Sequence, residues 1–443
     1  MTIYALSSGP GISGIAVIRV SGKNTVDVIK KITHSKLPIP RVATLVKFNK
    51  NGKKELIDEG VIIWFPGPKS YTGEDLAEFH VHGSRAVINA MHLEISKIKK
   101  CRLAEPGEFT KRAFQNGRIN LLKAESIADL ISSETEIQRK QALKIMSGKS
   151  ADKFNSWREK LLQILSHVEA KIDFPEEDLP DTISSEVQNV TSTILKEIKK
   201  TLNDERVGER IREGFRVAIV GPPNSGKSSL LNYFSKRDVA IVSEIAGTTR
   251  DVIETHLNLD GYPVILSDTA GIRNSKNEIE KKGIKIALNR AEDADLKLVI
   301  ISAKKPNFTK VLTALLNNNA ILVINKSDLI KKKLSSKFKK YDHILISIAK
   351  NKNLNKLIKK VKGKLKNKFT TREDVLITRE RHRQNLLNCV YHLEKFKKKK
   401  SALDYDKASE DLRLATRHLG MIVGKVDLEE LLGSIFNDFC IGK

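Results

Sequence analysis

The segment GPPNSGKS at residues 221–228 constrains this chain more than any other. Its pattern, G-x-x-x-x-G-K-S, follows an apolar run at 216–220 and precedes a helical pattern at 229–234. A strand, a glycine-bearing turn and a helix in that order aim backbone N–H groups at one point, where a phosphate chain is held. The surrounding chain must then be an α/β layer whose strand ends face the ligand. Lys227 supplies positive charge at the β and γ phosphates, and the Ser228 hydroxyl is placed to ligate Mg²⁺. Asn224, Ser225, Gly226 and Ser229 complete the expected phosphate contacts.

Two further motifs follow in order. Asp268-Thr269-Ala270-Gly271 ends an apolar run. The Asp268 carboxylate is expected to hold Mg²⁺ through water, and the Gly271 N–H to reach the γ-phosphate. Asn325-Lys326-Ser327-Asp328 ends the run at 320–324. A carboxylate at Asp328 accepts two hydrogen bonds from guanine N1 and its exocyclic amine. Adenine presents no matching donor pair, so the ordered motifs imply a guanine nucleotide. Ser347-Ile348-Ala349-Lys350 stands where a Ser-Ala-Lys base loop is expected, with Ile348 as a departure. Between the first two motifs, GTTRD at 247–251 places Thr249 as a second hydroxyl for Mg²⁺. Ile272 follows Gly271, at a position where many such sites carry a water-positioning glutamine. Isoleucine can neither orient water nor stabilise charge, so hydrolysis needs another group or an extra cation. Glu278 and Glu280 lie just beyond and can orient water, or can be solvated charges at a helix start.

The flanks differ from this middle third. Residues 1–118 alternate short apolar runs with turn residues: 14–20 and 61–65 read as strands, 66–73 and 106–107 as turns, and 87–98 as a helix. From 120 the apolar spacing becomes helical, through 157–172 and 187–202. Residues 213–366 alternate strands and helices, which predicts a parallel sheet with crossover helices. Helical spacing returns after 370, at 380–395, 407–423 and 428–439. The expected architecture is multidomain: an α+β N-terminal domain at 1–118, a helical domain from two flanking segments, 119–212 and 369–443, and an α/β P-loop domain of the Ras-like kind inserted at 213–368.

Lys and Arg number 79 against 53 Asp and Glu, a net charge of +26. The excess suits a polyanionic partner such as RNA, and equally suits solvated lysine runs such as 331–333, 359–368 and 397–400. The cysteines Cys101, Cys389 and Cys440 lack metal-ligand spacing, which argues against a zinc site or a disulfide framework. No apolar run approaches a membrane span, so a soluble, cytoplasmic protein without membrane contact is expected.

Several further segments resemble the MnmE (TrmE) family of tRNA modification GTPases, within the TrmE-Era-EngA-like superfamily. They are GIAVIRVSG at 14–22, YTGEDLAEFHVHG at 71–83, PGEFTKRAFQNGRINL at 106–121, GTTRD at 247–251 and the ending FCIGK at 439–443. The resemblance spans essentially the whole chain. It implies a K⁺-stimulated GTPase, with Asn224 and the backbone carbonyls of Ser243, Ile245 and Thr248 around the ion. Glu244, Ala246 and Gly247 complete that GTP-contacting loop. The cation would stand where an arginine finger acts elsewhere, which answers the question posed by Ile272. Glu280 matches the family's water-positioning glutamate, so the implied catalytic set is Glu280, Lys227 and Thr249.

The resemblance further implies a folate-binding, dimerising N-terminal domain. Arg19, Glu78, Arg118 and Lys443 match contacts to 5-formyltetrahydrofolate or a related one-carbon tetrahydrofolate. Cys440 falls near them as a possible active-site thiol, and equally as a small buried hydrophobe. The implied assembly is a homodimer that joins the FAD-dependent MnmG in a heterotetramer. The implied reaction adds a carboxymethylaminomethyl-type group to C5 of the wobble uridine of certain tRNAs. An RNA-binding ribosome-assembly GTPase explains the nucleotide motifs and the charge equally well. It leaves the folate-like segments and the FCIGK ending unexplained, as does a purely structural dimerising GTPase.

Overall fold

The computed structural model describes residues 1–52, 55–173, 182–235, 240–241, 254–259, 261–268, 291–304, 306, 310–330, 338–369, 375–399, 405–426, 435–436, 439 and 442. The chain divides into two compact units. One gathers Met1–Ala128, Ile145–Thr191 and Tyr391–Lys443, and the other gathers Asp129–Lys144 and Ser192–Val390.

The first unit contains β1 (Thr2–Leu6), β2 (Ser13–Ser21), α1 (Thr25–Thr33), β3 (Thr44–Asn49), β4 (Leu56–Phe65), β5 (Leu76–Gly83), α2 (Arg85–Ser96), β6 (Cys101–Leu103) and α3 (Glu108–Gln115). The strands form one six-stranded sheet in the order β3-β4-β5-β2-β1-β6. All neighbours are antiparallel except β1 and β6. Alternation decides the two faces. Ala77, Phe79 and Val81 of β5 join Ile18, Val20, Ile62 and Phe48 in a core closed by Ile29 and Ile32 of α1 and Met91 and Ile95 of α2. Glu78, His80 and His82 therefore face the other way. Ser84 caps α2 by accepting a hydrogen bond from the Val87 N–H at 3.2 Å. Phe109 of α3 packs with Ile3, Ala5 and Ala104.

The strands expected at 14–20 and 61–65 and the helix at 87–98 are found as β2, β4 and α2, with shifted ends. β3 and β5 carry no expected strand. β5 is interrupted by Glu78, His80 and His82, and this is the alternation of a half-buried strand.

Helices α4 (Leu121–Ile131), α5 (Glu136–Met146), α6 (Lys149–Asp173) and α7 (Thr182–Leu202) follow, without an intervening strand among the described residues. In the first unit α6 lies along the later helix Tyr405–Val423. Phe154, Trp157 and Leu161 are fully buried on α6, as are Leu412, Ala415 and Leu419 on its neighbour. Phe436 and Phe439 pack on Leu121 and Ala124.

The second unit holds α8 (Val207–Glu213), β7 (Phe215–Val220), α9 (Lys227–Ser235), β8 (Ala240–Ile241), β9 (Glu254–Leu259), β10 (Tyr262–Asp268), β11 (Leu296–Ser302), β12 (Ala320–Asn325) and β13 (His343–Leu345). These strands make a seven-stranded sheet in the order β13-β12-β11-β7-β10-β9-β8. The central strands are parallel and buried on both faces, so β11 and β12 read as largely apolar runs, with Lys297 the interruption in β11. The parallel sheet expected over 213–366 is present in β7 and β10 to β13, and β8 and β9 add an antiparallel edge to it. β9 runs antiparallel to both β10 and β8. Gly261, at φ 92°, makes the tight turn, and its N–H donates to Asn258 Oδ1 at 2.7 Å.

A buried charge cluster fixes α8, which leads into β7. Arg383 Nε and Nη2 donate to the two oxygens of Glu209 at 2.8 and 2.6 Å, Nη2 also reaches Asp204 at 2.6 Å, and Nη1 donates to the Leu202 carbonyl at 3.0 Å. Removing the guanidinium leaves the buried Glu209 carboxylate uncompensated, at a cost of about 3–5 kcal/mol. Arg383→Ala is therefore expected to strip hydrogen-exchange protection from the α8 amides. Unchanged protection would show that the cluster does not hold the helix.

Candidate functional site

The β7–α9 turn is shaped by two left-handed residues, Asn224 at φ 59° and Gly226 at φ 104°. Gly221 and Gly226 are glycines because the space for a side chain is taken. A Cβ on Gly221 would collide with the Ile300 carbonyl of β11, and one on Gly226 with the Asn325 side-chain amide. Lys227 Nζ donates to the Gly221 and Pro222 carbonyls at 2.9 and 3.0 Å, which keeps the amine over the turn.

The motif at the end of β12 is tied to this turn. The buried Asn325 donates its amide to the Ser225 carbonyl at 2.9 Å, 100 residues away in the chain. Its Oδ1 accepts from the Lys326 N–H at 2.7 Å and the Ile348 N–H at 3.3 Å. Lys326, left-handed at φ 61°, donates from Nζ to the Asn224 carbonyl at 2.9 Å. Asp328 sits on the one-turn 3₁₀ helix Ser327–Leu329. A hydrogen bond from Ser347, with the positive charges of Lys350 and Lys352, holds its carboxyl below the usual aspartate range despite partial desolvation. An ionised acceptor is what guanine's N1 and amine require. Ile348 keeps its backbone contact, so the departure from Ser-Ala-Lys leaves the loop's link to Asn325 in place.

Asp268 ends β10 opposite Ile219 of β7, one residue before the end of the strand that feeds the phosphate turn. Ser228 and Ser229 lie in the first turn of α9. Ser243, Glu244, Ile245, Ala246, Gly247, Thr248, Thr249, Thr269, Ala270, Gly271 and Glu280 lie outside the described residues, as do Ile272 and Glu278.

A second polar group lies on the outer face of the N-terminal sheet. Arg19 and Glu78 are register partners of β2 and β5. Arg19 Nη2 and Nε both donate to Glu78 Oε1, at 2.7 and 3.1 Å. The guanidinium lies 5.7 Å from the Tyr71 ring centre and 5.8 Å from that of Phe109. Burial pushes the Tyr71 phenol's pKa up, and its hydroxyl bonds Thr110 Oγ1 at 2.8 Å. Asn116 Nδ2 donates to the Thr72 carbonyl at 2.7 Å, and the Arg118 methylenes lie against Gly73. The loop after Ser70 thus touches Arg19 at one end and Arg118 at the other.

The chain's last residues reach the same sheet. Ser7 Oγ donates to the Gly442 carbonyl at 2.8 Å, and a Cβ on Gly442 would strike the Leu6 carbonyl. Leu6 is next to Ala5, the β1 partner of Arg19. Cys440 and Lys443 lie outside the described residues.

Two family models cover the chain: "GTP-binding protein TrmE N-terminus" over residues 2–118, and "MnmE helical domain" over 121–440. The tRNA modification GTPase MnmE of Pelagibacter ubique (strain HTCC1062) is 70% identical over 443 residues, with 100% of each chain covered. Those of Rickettsia akari and Rickettsia bellii are 45% and 44% identical over 448 residues, again with 100% of each chain covered. The chain belongs to the MnmE family. Among the described residues no helix is long and apolar enough to cross a membrane.

The MnmE segments at 71–83 and 106–121 hold residues to which the sequence assigned no role. Arg112 bridges Glu74 at 2.8 Å and Glu108 at 2.9 Å, and Arg102 grips both oxygens of Glu108 at 2.7 and 2.8 Å. Burial opposes ionisation of Glu108, and the bonds from Arg102, the Glu105 N–H and Arg112 outweigh it, so its carboxyl stays below the usual range. A glutamate that opens a helix and lies four residues before an arginine is the sequence signal for such a pair.

Two substitutions test the nucleotide frame of this MnmE chain. Gly226→Ala is expected to abolish nucleotide binding by displacing Asn325, whereas Gly363→Ala, in helix Leu354–Phe369 with open space at Cβ, leaves it intact. Asp328→Asn is expected to weaken GTP binding by about a hundredfold or more and to improve XTP binding, because xanthine replaces the amine donor with an acceptor. Equilibrium titration with labelled GTP and XTP reads both. Retained GTP preference in Asp328→Asn would remove Asp328 from base recognition.

Proposed function

We propose that this chain is a GTP hydrolase acting in tRNA modification, working with the flavoprotein MnmG at C5 of the wobble uridine. The observation that carries the reading is the co-occurrence, in one chain aligned end to end with a tRNA modification GTPase, of a braced phosphate and guanine frame and an Arg19–Glu78 pair. The four segments 1–118, 119–212, 213–368 and 369–443 are its proposed domains. The ends of the two family matches, at 118 and 121, support the first boundary.

The residues fit the groups they are proposed to hold. The left-handed turn at Asn224 and Gly226, with Lys227 over it, suits a triphosphate, and Ser228 and Thr249 would hold Mg²⁺. Bound Mg²⁺ neutralises charge on the β and γ phosphates. Asn224, with the carbonyls of Ser243, Ile245 and Thr248, would hold K⁺. Glu280 would orient the attacking water, with Lys227 and Thr249 at the phosphates. Hydrolysis then drives a conformational step rather than the bond chemistry on uridine.

Glu78, with one oxygen bound to Arg19, suits the donor edge of a pterin, and Arg118 and Lys443 suit the carboxylates of a folate tail. A homodimer in a cytoplasmic heterotetramer with MnmG, and tRNA as substrate, complete the proposal. The +26 charge supports the tRNA partner.

GTP turnover at equal ionic strength in KCl and NaCl tests the ion. A large K⁺-specific acceleration, lost in Asn224→Ala and in Glu280→Ala, is expected. Equal turnover in both salts would discard the K⁺ mechanism and favour a switch GTPase that awaits an external activator.

A further inference from the structure

β5 places three polar side chains in a row on the outer sheet face: Glu78, His80 and His82. His82 has a partner, since its Nδ1 lies 2.8 Å from Asp58 Oδ1. Glu78 has half of one, because both Arg19 bonds go to Oε1. His80 lies between them, opposite Val17 on β2 and Val61 on β4. Its Nε2 is shielded from solvent and has no hydrogen-bond partner. The nearest charged atom is Glu78 Oε2, 3.6 Å away, which is beyond a hydrogen bond.

A shielded ring nitrogen without a partner is costly and calls for an explanation. Valines on both neighbouring strands offer it none. Beside it, at 3.6 Å, stands the oxygen of Glu78 that Arg19 leaves available. A carboxylate oxygen accepts, and in the tautomer with hydrogen on Nε2 the imidazole donates, so together they present an acceptor and a donor side by side. The complement is a planar heterocycle edge with an N–H next to a carbonyl. A 2-amino-4-oxopteridine has that edge: its amine and N3–H donate, and its 4-oxo group accepts.

We infer that His80 is a specificity-determining residue of the folate site, donating from Nε2 to the pterin 4-oxo group while Glu78 accepts from N3–H and the 2-amine. This rests on the folate reading proposed above. It adds a direct reader of the 4-oxo group, while Glu78, held by Arg19, reads the donors and Arg118 and Lys443 suit the tail. A 4-amino pteridine puts a donor against the His80 donor and is penalised.

Folic acid and aminopterin differ at position 4, and the 4-amino ring also lacks the N3–H that Glu78 accepts from, so the change in their ratio between wild type and a His80 variant isolates this contact. Each is titrated against the full-length protein as wild type, His80→Ala and His80→Gln, at neutral pH. In His80→Ala, affinity for folic acid is expected to fall on the order of threefold to tenfold, while aminopterin binds as before or better. The folic acid to aminopterin ratio therefore falls by at least that factor. His80→Gln keeps a side-chain donor and is expected to restore the ratio. Retained aminopterin binding also shows that the variant is folded. Equal losses for both ligands in His80→Ala would make the residue structural and overturn the inference. An unchanged ratio would overturn it too, with the folate site itself standing. If wild type binds neither ligand nor 5-formyltetrahydrofolate, the folate reading fails and the inference fails with it.

Discussion

The buried amide of Asn325 holds the nucleotide site together. It gives one hydrogen bond to the phosphate turn and takes two from the loops that surround the base. The groups expected to meet the two ends of a nucleotide are thereby fixed to one side chain at the end of a central strand. Lys326 adds a second tie to the same turn. Glycine at 226 follows from the same amide, which occupies the volume a methyl group would need. Sheet register and the left-handed turn are parts of one constraint, because moving either breaks the buried bond from Asn325 to Ser225.

The N-terminal sheet solves a different problem. Its inner face is a plain apolar core. Its outer face carries charge, and that charge is ordered by pairing across strands rather than by loops. Arg19 and Glu78 are fixed by register, and Tyr71 and Phe109 wall the guanidinium. Groups set on strands of one sheet keep their spacing, which suits recognition of a rigid ring better than a loop does.

The nucleotide frame is legible in the sequence because each motif reports a backbone requirement: glycine where a side chain has no room, asparagine and aspartate where a strand ends. The runs at β11 and β12 are equally plain, since strands buried on both faces carry little else than apolar residues. β9 and β5 are harder. β9 (ETHLNL) mixes polar and apolar residues, and its direction depends on the turn at Gly261. β5 spends alternate positions on charged and imidazole groups, so its strand character shows only once its neighbours are placed. The Arg112 cluster and the solvent-shielded nitrogen of His80 depend on distances between segments, and one sequence does not contain those.

The contact between Gly442 and the end of β1 has a consequence for how the protein is made. Ser7 leaves the ribosome before the second unit and Gly442 after it, yet they share a hydrogen bond. Phe436 and Phe439 likewise pack against Leu121 and Ala124. The N-terminal unit must therefore wait, with the end of β1 and an apolar patch uncovered, while the second unit is synthesised. Residues as far as Gly442 must be made before this contact can close.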